Sequence, residues 1–385
     1  MSEYLPGLAG VPATKSNISD IDGAQGLLTY RGYPIEELAR SSSFEETTLL
    51  LLDGELPNAA DLHEFSAQLR ANRPVKFHIR EMMRQMPGTG HPMDMLQTAV
   101  ASLGMFYPGN ECLTNAEVGE DLNYVHNMTV KIIARMGTLV AMWEHIRNGY
   151  DPIPPRSDLS YAENFLYMFT GRDPDPLLAR ILDVCLILHA EHTINASTFS
   201  VLVSGSTLAS PYSVITSAIA TLSGPLHGGA NQKVVEMLHE IGTPDRAEEY
   251  VNRRLANKEV IWGMGHREYK TKDPRANILQ RLTEELMEAR GGDVNPMFEV
   301  AKAVERISEE RLGPKGVYAN VDFYSGILYT EMGIPSDQFT ALFAMARSAG
   351  WLAHWREQLF DNRIFRPTQV YTGRERRSYL PIGQR

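Results

Sequence analysis

The strongest limit on what this chain can become is its helix punctuation. A capping side chain recurs directly before proline, as at Ser210-Pro211, Thr243-Pro244, Asp273-Pro274 and Asn295-Pro296. A capping oxygen accepts the first free N–H groups of a helix, and proline, with no N–H to leave unpaired, suits the first helical position. Gly242, Gly291-Gly292, Gly313 and Gly333 follow periodic segments, where a helix end tolerates the left-handed conformation. Between these marks apolar residues recur at helical spacing, as in Ala247, Tyr250, Val251, Leu255 and in Phe298, Ala301, Val304, Ile307. The chain therefore reads as all-α. Strands are confined to residues 17–35, where short alternating apolar pieces with Gly23, Gly26 and Gly32 suit one small hairpin.

A chain of 385 residues, 43% of them hydrophobic, has material for a large core and, by size, for about two domains. Residues 223–329 carry shorter, more charged helices, bracketed by longer apolar ones that end near Leu222 and resume near Ile327. This predicts a large helical domain, 1–222 and 330–385, with a small helical domain, 223–329, inserted into it. The most apolar stretch, Leu178 to Ala190, is interrupted by Arg180 and Asp183 and falls short of the roughly 20 residues of a membrane helix, so it reads as a buried helix. Met1 to Gly10 has no basic stretch followed by an apolar run, and no secretory signal is expected. A formal charge of −10 with only short basic clusters argues against nucleic acid as a partner. Cys112 and Cys185 are the only cysteines and form no CxxC pair, which argues against a disulfide framework or a thiolate zinc site and fits a reducing cytoplasm.

Three stations carry chemistry. His227 lies in Gly224-Pro225-Leu226-His227-Gly228-Gly229-Ala230-Asn231, after one helix and before the next. Free N–H groups at the start of that next helix would keep its imidazole neutral, as a donor; the plainer alternative is a histidine that caps a helix. His266 lies in Gly263-Met264-Gly265-His266-Arg267-Glu268-Tyr269-Lys270-Thr271-Lys272-Asp273-Pro274-Arg275. The glycine pair lacks the third glycine and preceding strand of a dinucleotide fingerprint. The cluster Arg267, Lys270, Lys272 and Arg275 beside a helix start is either an anion site or a solvated surface run. Asp322, in Asn320-Val321-Asp322-Phe323-Tyr324-Ser325-Gly326, is either the N-cap of the following helix or a general base whose pKa is raised by water-excluding aromatics. His189-Ala190-Glu191-His192 has a two-histidine spacing that suits a metal but lacks a third ligand; no metal is expected, and a structural or anion-binding role is preferred.

Taken in order, GPLHGGAN, GMGHREYKTKDPR, NVDFYSG and RPTQVYTG resemble the citrate synthase family over nearly the whole chain, in its compact bacterial and archaeal branch. The resemblance implies an all-α fold in which a large and a small domain close over the site. It implies a catalytic triad of His227, His266 and Asp322. His192 in HTINAS, Arg275, Arg347 in AMARSAG and Arg366 in FRP match the residues that hold oxaloacetate or citrate. The last of these reaches in from the neighbouring subunit, which implies an obligate homodimer; the family also includes hexamers, built as trimers of dimers. Lys270 matches a contact to coenzyme A phosphates, Val260, Ile261, Gly263 and Gly265 match the loop around its adenine, and Asn320 belongs to the same set. Met264 stands where the family often has an aromatic or small residue, and Glu268 where Val or Ile is usual.

The activity implied is condensation of acetyl-CoA with oxaloacetate and water to citrate and coenzyme A, the entry step of the tricarboxylic acid cycle, with no cofactor. A 2-methylcitrate synthase using propionyl-CoA is the neighbouring alternative, since one methylene discriminates only about 1–3 kcal/mol. A catalytically dead sensor on the same scaffold would be expected to lose one of the three catalytic positions, and all three are present. The compact N-terminus lacks the segment that resembles the NADH-binding region of longer relatives, so NADH inhibition there is not expected.

Overall fold

The computed structural model describes residues 4–107, 122–291 and 295–385; Cys112 and Gly292 lie outside the described residues. Near the N-terminus β1 (Ser19–Asp22), β2 (Leu27–Tyr30) and β3 (Tyr33–Pro34) form an antiparallel sheet in that order, with Ser19 opposite Tyr30 and Tyr30 opposite Tyr33. The expected hairpin thus gains a third, two-residue strand. Helices follow: α1 (Ile35–Ser41), α2 (Phe44–Asp53), α3 (Ala59–Asn72), α4 (Phe77–Arg84), α5 (Pro92–Phe106), α6 (Leu122–Arg147), α7 (Tyr161–Thr170), α8 (Pro176–Ala190), α9 (Ala196–Gly205) and α10 (Pro211–Leu222). The chain continues through α11 (Ala230–Ile241), α12 (Ala247–Ala256), α13 (Pro274–Ala289), α14 (Pro296–Leu312), α15 (Asp322–Glu331) and α16 (Phe339–Phe360). The all-α expectation holds.

Most of the punctuation acts as read. Ser210, Asp273 and Asn295 each accept a backbone N–H from the first turn they cap, and Gly242 and Gly333 take positive φ after α11 and α15. Two marks differ. Thr243 makes no cap bond, because Pro244 opens a 3-10 turn that leads into α12. Gly313 keeps a right-handed φ of −52°; Pro314 behind it extends the chain into another 3-10 turn, and the left-handed stop falls on Gly316.

α16 is buried almost all round, from Phe339 through Trp355, and packs on α8, α6, α9 and α2, as expected of a helix apolar on every face. α8 is the buried helix read in 178–190, and its two charges have local tasks. Asp183 Oδ1 accepts Phe44 N–H at 3.0 Å at the start of α2; burial pushes its carboxyl up to about 7. Arg180 donates to the carbonyls of Ala39, Arg40 and Ser42 and so closes α1. Cys185, on the same helix, is a buried free thiol. α11 packs on α15 and α14, α12 on α14, and α13 on α15 while also touching α1 and α8. Residues 361–385 run mostly exposed, with a single 3-10 turn, apart from half-buried Asn362 and Phe365, which bond Ser206. Among the described residues no helix is long and apolar enough to cross a membrane.

Candidate active site

His227 sits in the turn between α10 and α11, which is pinned by Gly228 N–H to Leu222 O and by Thr340 Oγ1 of α16 to Gly228 O. Its Nε2 accepts the Ser197 N–H at 3.3 Å and lies 2.9 Å from Ser197 Oγ. Ser197 belongs to the first turn of α9, which Asn195 caps, and Trp351 Nε1 donates to its hydroxyl at 3.1 Å. An Nε2 that accepts a backbone N–H leaves the ring proton on Nδ1. Burial, then the charge of Arg347, lowers His227 to about 4, so it is a neutral donor at pH 7. The donor helix is a correction: the N–H comes from α9, not from α11, and no side chain caps α11.

His266 follows a stretch zipped onto the segment ahead of α15. Gly263 has φ +77°, and a Cβ there would stand 2.7 Å from the Phe323 ring and 2.8 Å from Val234 Cγ2, so only glycine fits. Met264 pairs with Ala319 as an isolated bridge, Gly265 N–H donates to Tyr318 O at 2.7 Å and Asn320 N–H to Gly263 O at 2.9 Å. On the other side Lys270 N–H donates to Gly23 O in the β1–β2 turn. His266 Nδ1 accepts from Glu268 N–H at 3.1 Å, leaving Nε2–H as its donor. Burial, then Arg275, lowers it to about 4. Its ring lies 4.9 Å from that of His192, nearly perpendicular, and 4.8 Å from that of Tyr269; His192 Nε2 meets Tyr269 Oη at 3.2 Å.

Asp322 is the first residue of α15, and its backbone N–H goes to Asn320 Oδ1 at 3.0 Å. Its carboxylate caps nothing: Oδ1 is closed to solvent and has no hydrogen-bond partner. The capping alternative fails on that observation. Burial raises the group to about 6, against the pull of Arg275 and Arg347.

Those two arginines are themselves buried. Arg275 Nε and Nη2 grip Asp273 Oδ1 and Oδ2 at 3.0 and 2.7 Å. Arg347 Nε donates to His189 O at 2.7 Å, and its guanidinium lies 4.8 Å from the Phe343 ring centroid; among the described residues it has no carboxylate in ion-pair range. Burial lowers Arg347 to about 10, with Glu191 as the leading charge that opposes this. Glu191 is held by His354 Nε2 at 3.1 Å and Ser19 Oγ at 3.0 Å, and a side chain at Gly350 would strike its Oε2. His192, His266 and Asp273 bring ligand atoms within 4.8 Å of one another, but both Asp273 oxygens are on Arg275. A space that Arg275 and Arg347 dominate suits an anion better than a cation.

This set, two neutral imidazoles, one unpaired carboxyl and a buried unpaired arginine, lies inside a fold with close relatives. The pattern described as citrate synthase, C-terminal domain, matches residues 7–368. A citrate synthase of Acidithiobacillus ferridurans is 64% identical over 382 residues, spanning 99% of this chain and 98% of the relative; one of Synechocystis sp. is 53% identical, spanning 99% and 94%. The chain belongs to the citrate synthase family. Its activity is that of the family, an acyltransferase joining the acetyl group of acetyl-CoA to oxaloacetate. Among solved structures, the ternary complex of carboxymethyl coenzyme A and oxalateacetate with citrate synthase from Thermoplasma acidophilum superposes with a TM-score of 0.93 at 32% identity over 100% of both chains. Citrate synthase from Pyrobaculum aerophilum gives 0.90 at 41%, covering 98% of this chain and 95% of that one.

The other residues singled out as citrate synthase positions fall into two groups. Val260 is 57% exposed and Lys270 is exposed, its Nζ donating only to Arg267 O. Ile261 is buried, Gly263 and Gly265 serve the zipper, and both ends of the Asn320 amide are spent, on Gly265 O and Asp322 N–H. Arg366 is not brought to this site by its own chain. It is exposed, bonds Pro367 O, and borders a separate cavity with Lys15, His354, Glu357 and Arg363. His189 is likewise apart from His192: its Nδ1 faces Cys185 O and its ring packs on Phe343. Ser197, Trp351, Tyr269 and the Glu191–His354 pair were not singled out in the sequence. Only Asn195, a cap ahead of an apolar run, signalled that a helix start lay near His192.

Proposed function

We propose that Asp322 is the base that takes the methyl proton of acetyl-CoA, and that the unpartnered, solvent-shielded Oδ1 is the observation that carries this role. A positioned base supplies about 10²–10⁴-fold, whereas enzymes lower barriers by at least about 8 kcal/mol, so a second group must hold the charge that develops on the thioester oxygen. His227 Nδ1–H is that donor; one such bond contributes about 10²–10³-fold. The resulting enol or enolate carbon attacks the ketone of oxaloacetate, which His266 Nε2–H and Arg275 polarise, His266 passing a proton to the new alkoxide. Water then cleaves the thioester to give citrate and free coenzyme A. Arg347 and His192, with Arg366 of a second copy, bind the carboxylates. Lys270 meets the coenzyme A phosphates, and Val260 to Gly265 with Asn320 frame its adenine.

The same reading makes the chain a homodimer. Ile364, Val370, Tyr371, Tyr379 and Ile382 are exposed along the tail of the single chain, a row of apolar residues that a second copy would cover as it receives Arg366. Helices α11 to α15 form the small domain that closes when oxaloacetate binds, keeping the enol from water. The enzyme acts in the cytoplasm, feeding the tricarboxylic acid cycle. The deciding experiment is Asp322→Asn: coenzyme A release should fall by about 10²–10⁴-fold, with oxaloacetate binding by calorimetry nearly intact. Unchanged turnover removes Asp322 as the base.

A further inference from the structure

The stretch between α12 and His266 is held by a side chain that the reaction does not use. After Ala256 the chain reverses through Lys258, at φ +58°. Arg254, in the last turn of α12, folds across the reversal: Nε and Nη2 both donate to the Val260 carbonyl, at 3.2 and 2.7 Å, and Nη1 pairs with Glu259 Oε2 at 3.0 Å. Glu259 N–H returns a bond to Arg254 O at 2.8 Å. A planar guanidinium with two nitrogens on one oxygen fixes a peptide's orientation in a way a single ammonium does not. Downstream the stretch is tied by buried Ile261, by Gly263 wedged against Phe323, and by the Met264–Ala319 bridge. Val260 is therefore fixed through its backbone while its side chain stands open to solvent, a still apolar surface against which a flat heteroaromatic ring can lie.

We propose that Arg254 is a positioning residue for the nucleotide end of coenzyme A. By pinning the Val260 carbonyl it keeps residues 257–265 in the receiving shape, and because all three of its guanidinium nitrogens are engaged it does not itself bind the phosphates. The proposal rests on the assignment of Val260 to Gly265 to coenzyme A, and the test separates the two.

Steady-state kinetics of Arg254→Ala, Arg254→Lys and Val260→Asp would be measured with acetyl-CoA and with acetyl-pantetheine, which lacks the nucleotide. Arg254→Ala should raise KM for acetyl-CoA about tenfold, the loss expected for a charge-assisted hydrogen bond, with kcat and the oxaloacetate KM within about twofold. Arg254→Lys should fall between it and the wild type. With acetyl-pantetheine both Arg254 variants should match the wild type, because nothing remains for the stretch to receive. An equal loss on both substrates, or an unchanged acetyl-CoA KM in Arg254→Ala, overturns the proposal. If Val260→Asp raises the acetyl-CoA KM while Arg254→Ala does not, Arg254 alone is wrong. If both are silent, the assignment of the stretch fails with it.

Discussion

Arg275 and Arg347 are each 2% exposed and act on the same residues, yet they are neutralised in opposite ways. Arg275 carries its own counter-ion, Asp273, two residues away and gripped through both oxygens. Arg347 has a carbonyl, a ring face and, farther off, the Glu191–His354 pair. A compensated arginine is a finished piece of structure that orients whatever approaches it, whereas an uncompensated buried one is a charge waiting for an anion. The first is expected to matter for folding and the second for binding.

The sharpest way to break that contrast is to remove each in turn. Arg275→Leu leaves Asp273 buried and unpaired and should cost about 3–5 kcal/mol of stability, read as a lowered denaturant midpoint. Arg347→Leu strands no carboxylate; it should hold its midpoint but lose oxaloacetate affinity by about 10²-fold or more. Equal loss of stability in both variants would show that the two arginines are not differently compensated.

Arg366 extends the comparison to a cation that its own chain leaves outside the site. Arg366→Leu and Asp322→Asn chains should each be nearly inactive alone, but co-refolded mixtures should recover about a quarter of wild-type activity, since half the dimers are mixed and each has one complete site. No recovery would place Arg366 outside the partner's site.

The smallest effects are in pH. Asp322, raised to about 6 by burial, is needed ionised, so kcat/KM should fall as pH drops through about 6; His227 and His266, lowered to about 4, stay neutral above pH 5 and should add no limb up to pH 8. The linkage runs the other way for stability. A carboxyl with a raised folded pKa favours its protonated form in the fold, so its ionisation destabilises the protein between its unfolded value and about 6 and above. Asp322→Asn should then melt higher than the wild type at pH 7 and close to it at pH 4. A profile flat down to pH 5 would contradict both statements.

Much of this was legible along the chain, and particular residues show why. Asp273 and Asn295 cap the helices they precede because a cap reaches only two or three residues, so the pattern and the contact are the same thing. Gly313 was misplaced as a left-handed stop because the proline after it added a turn that glycine spacing does not report. Asp322 is ambiguous between cap and base along the chain, and only the fold separates the two, by leaving its Oδ1 shielded from solvent and without a hydrogen-bond partner.

Local chemistry, then, was determined by sequence alone: which segments are helical, where they start, and which side chains stand at their ends, since these rest on interactions within about one turn. Tertiary structure alone decided which of those ends face one another. Ser197 is 30 residues from the imidazole it orients, and His189 is 158 from the guanidinium it holds. Nothing in either segment encodes the other, because the bond that sets the tautomer or frees the charge exists only once separate helices have packed.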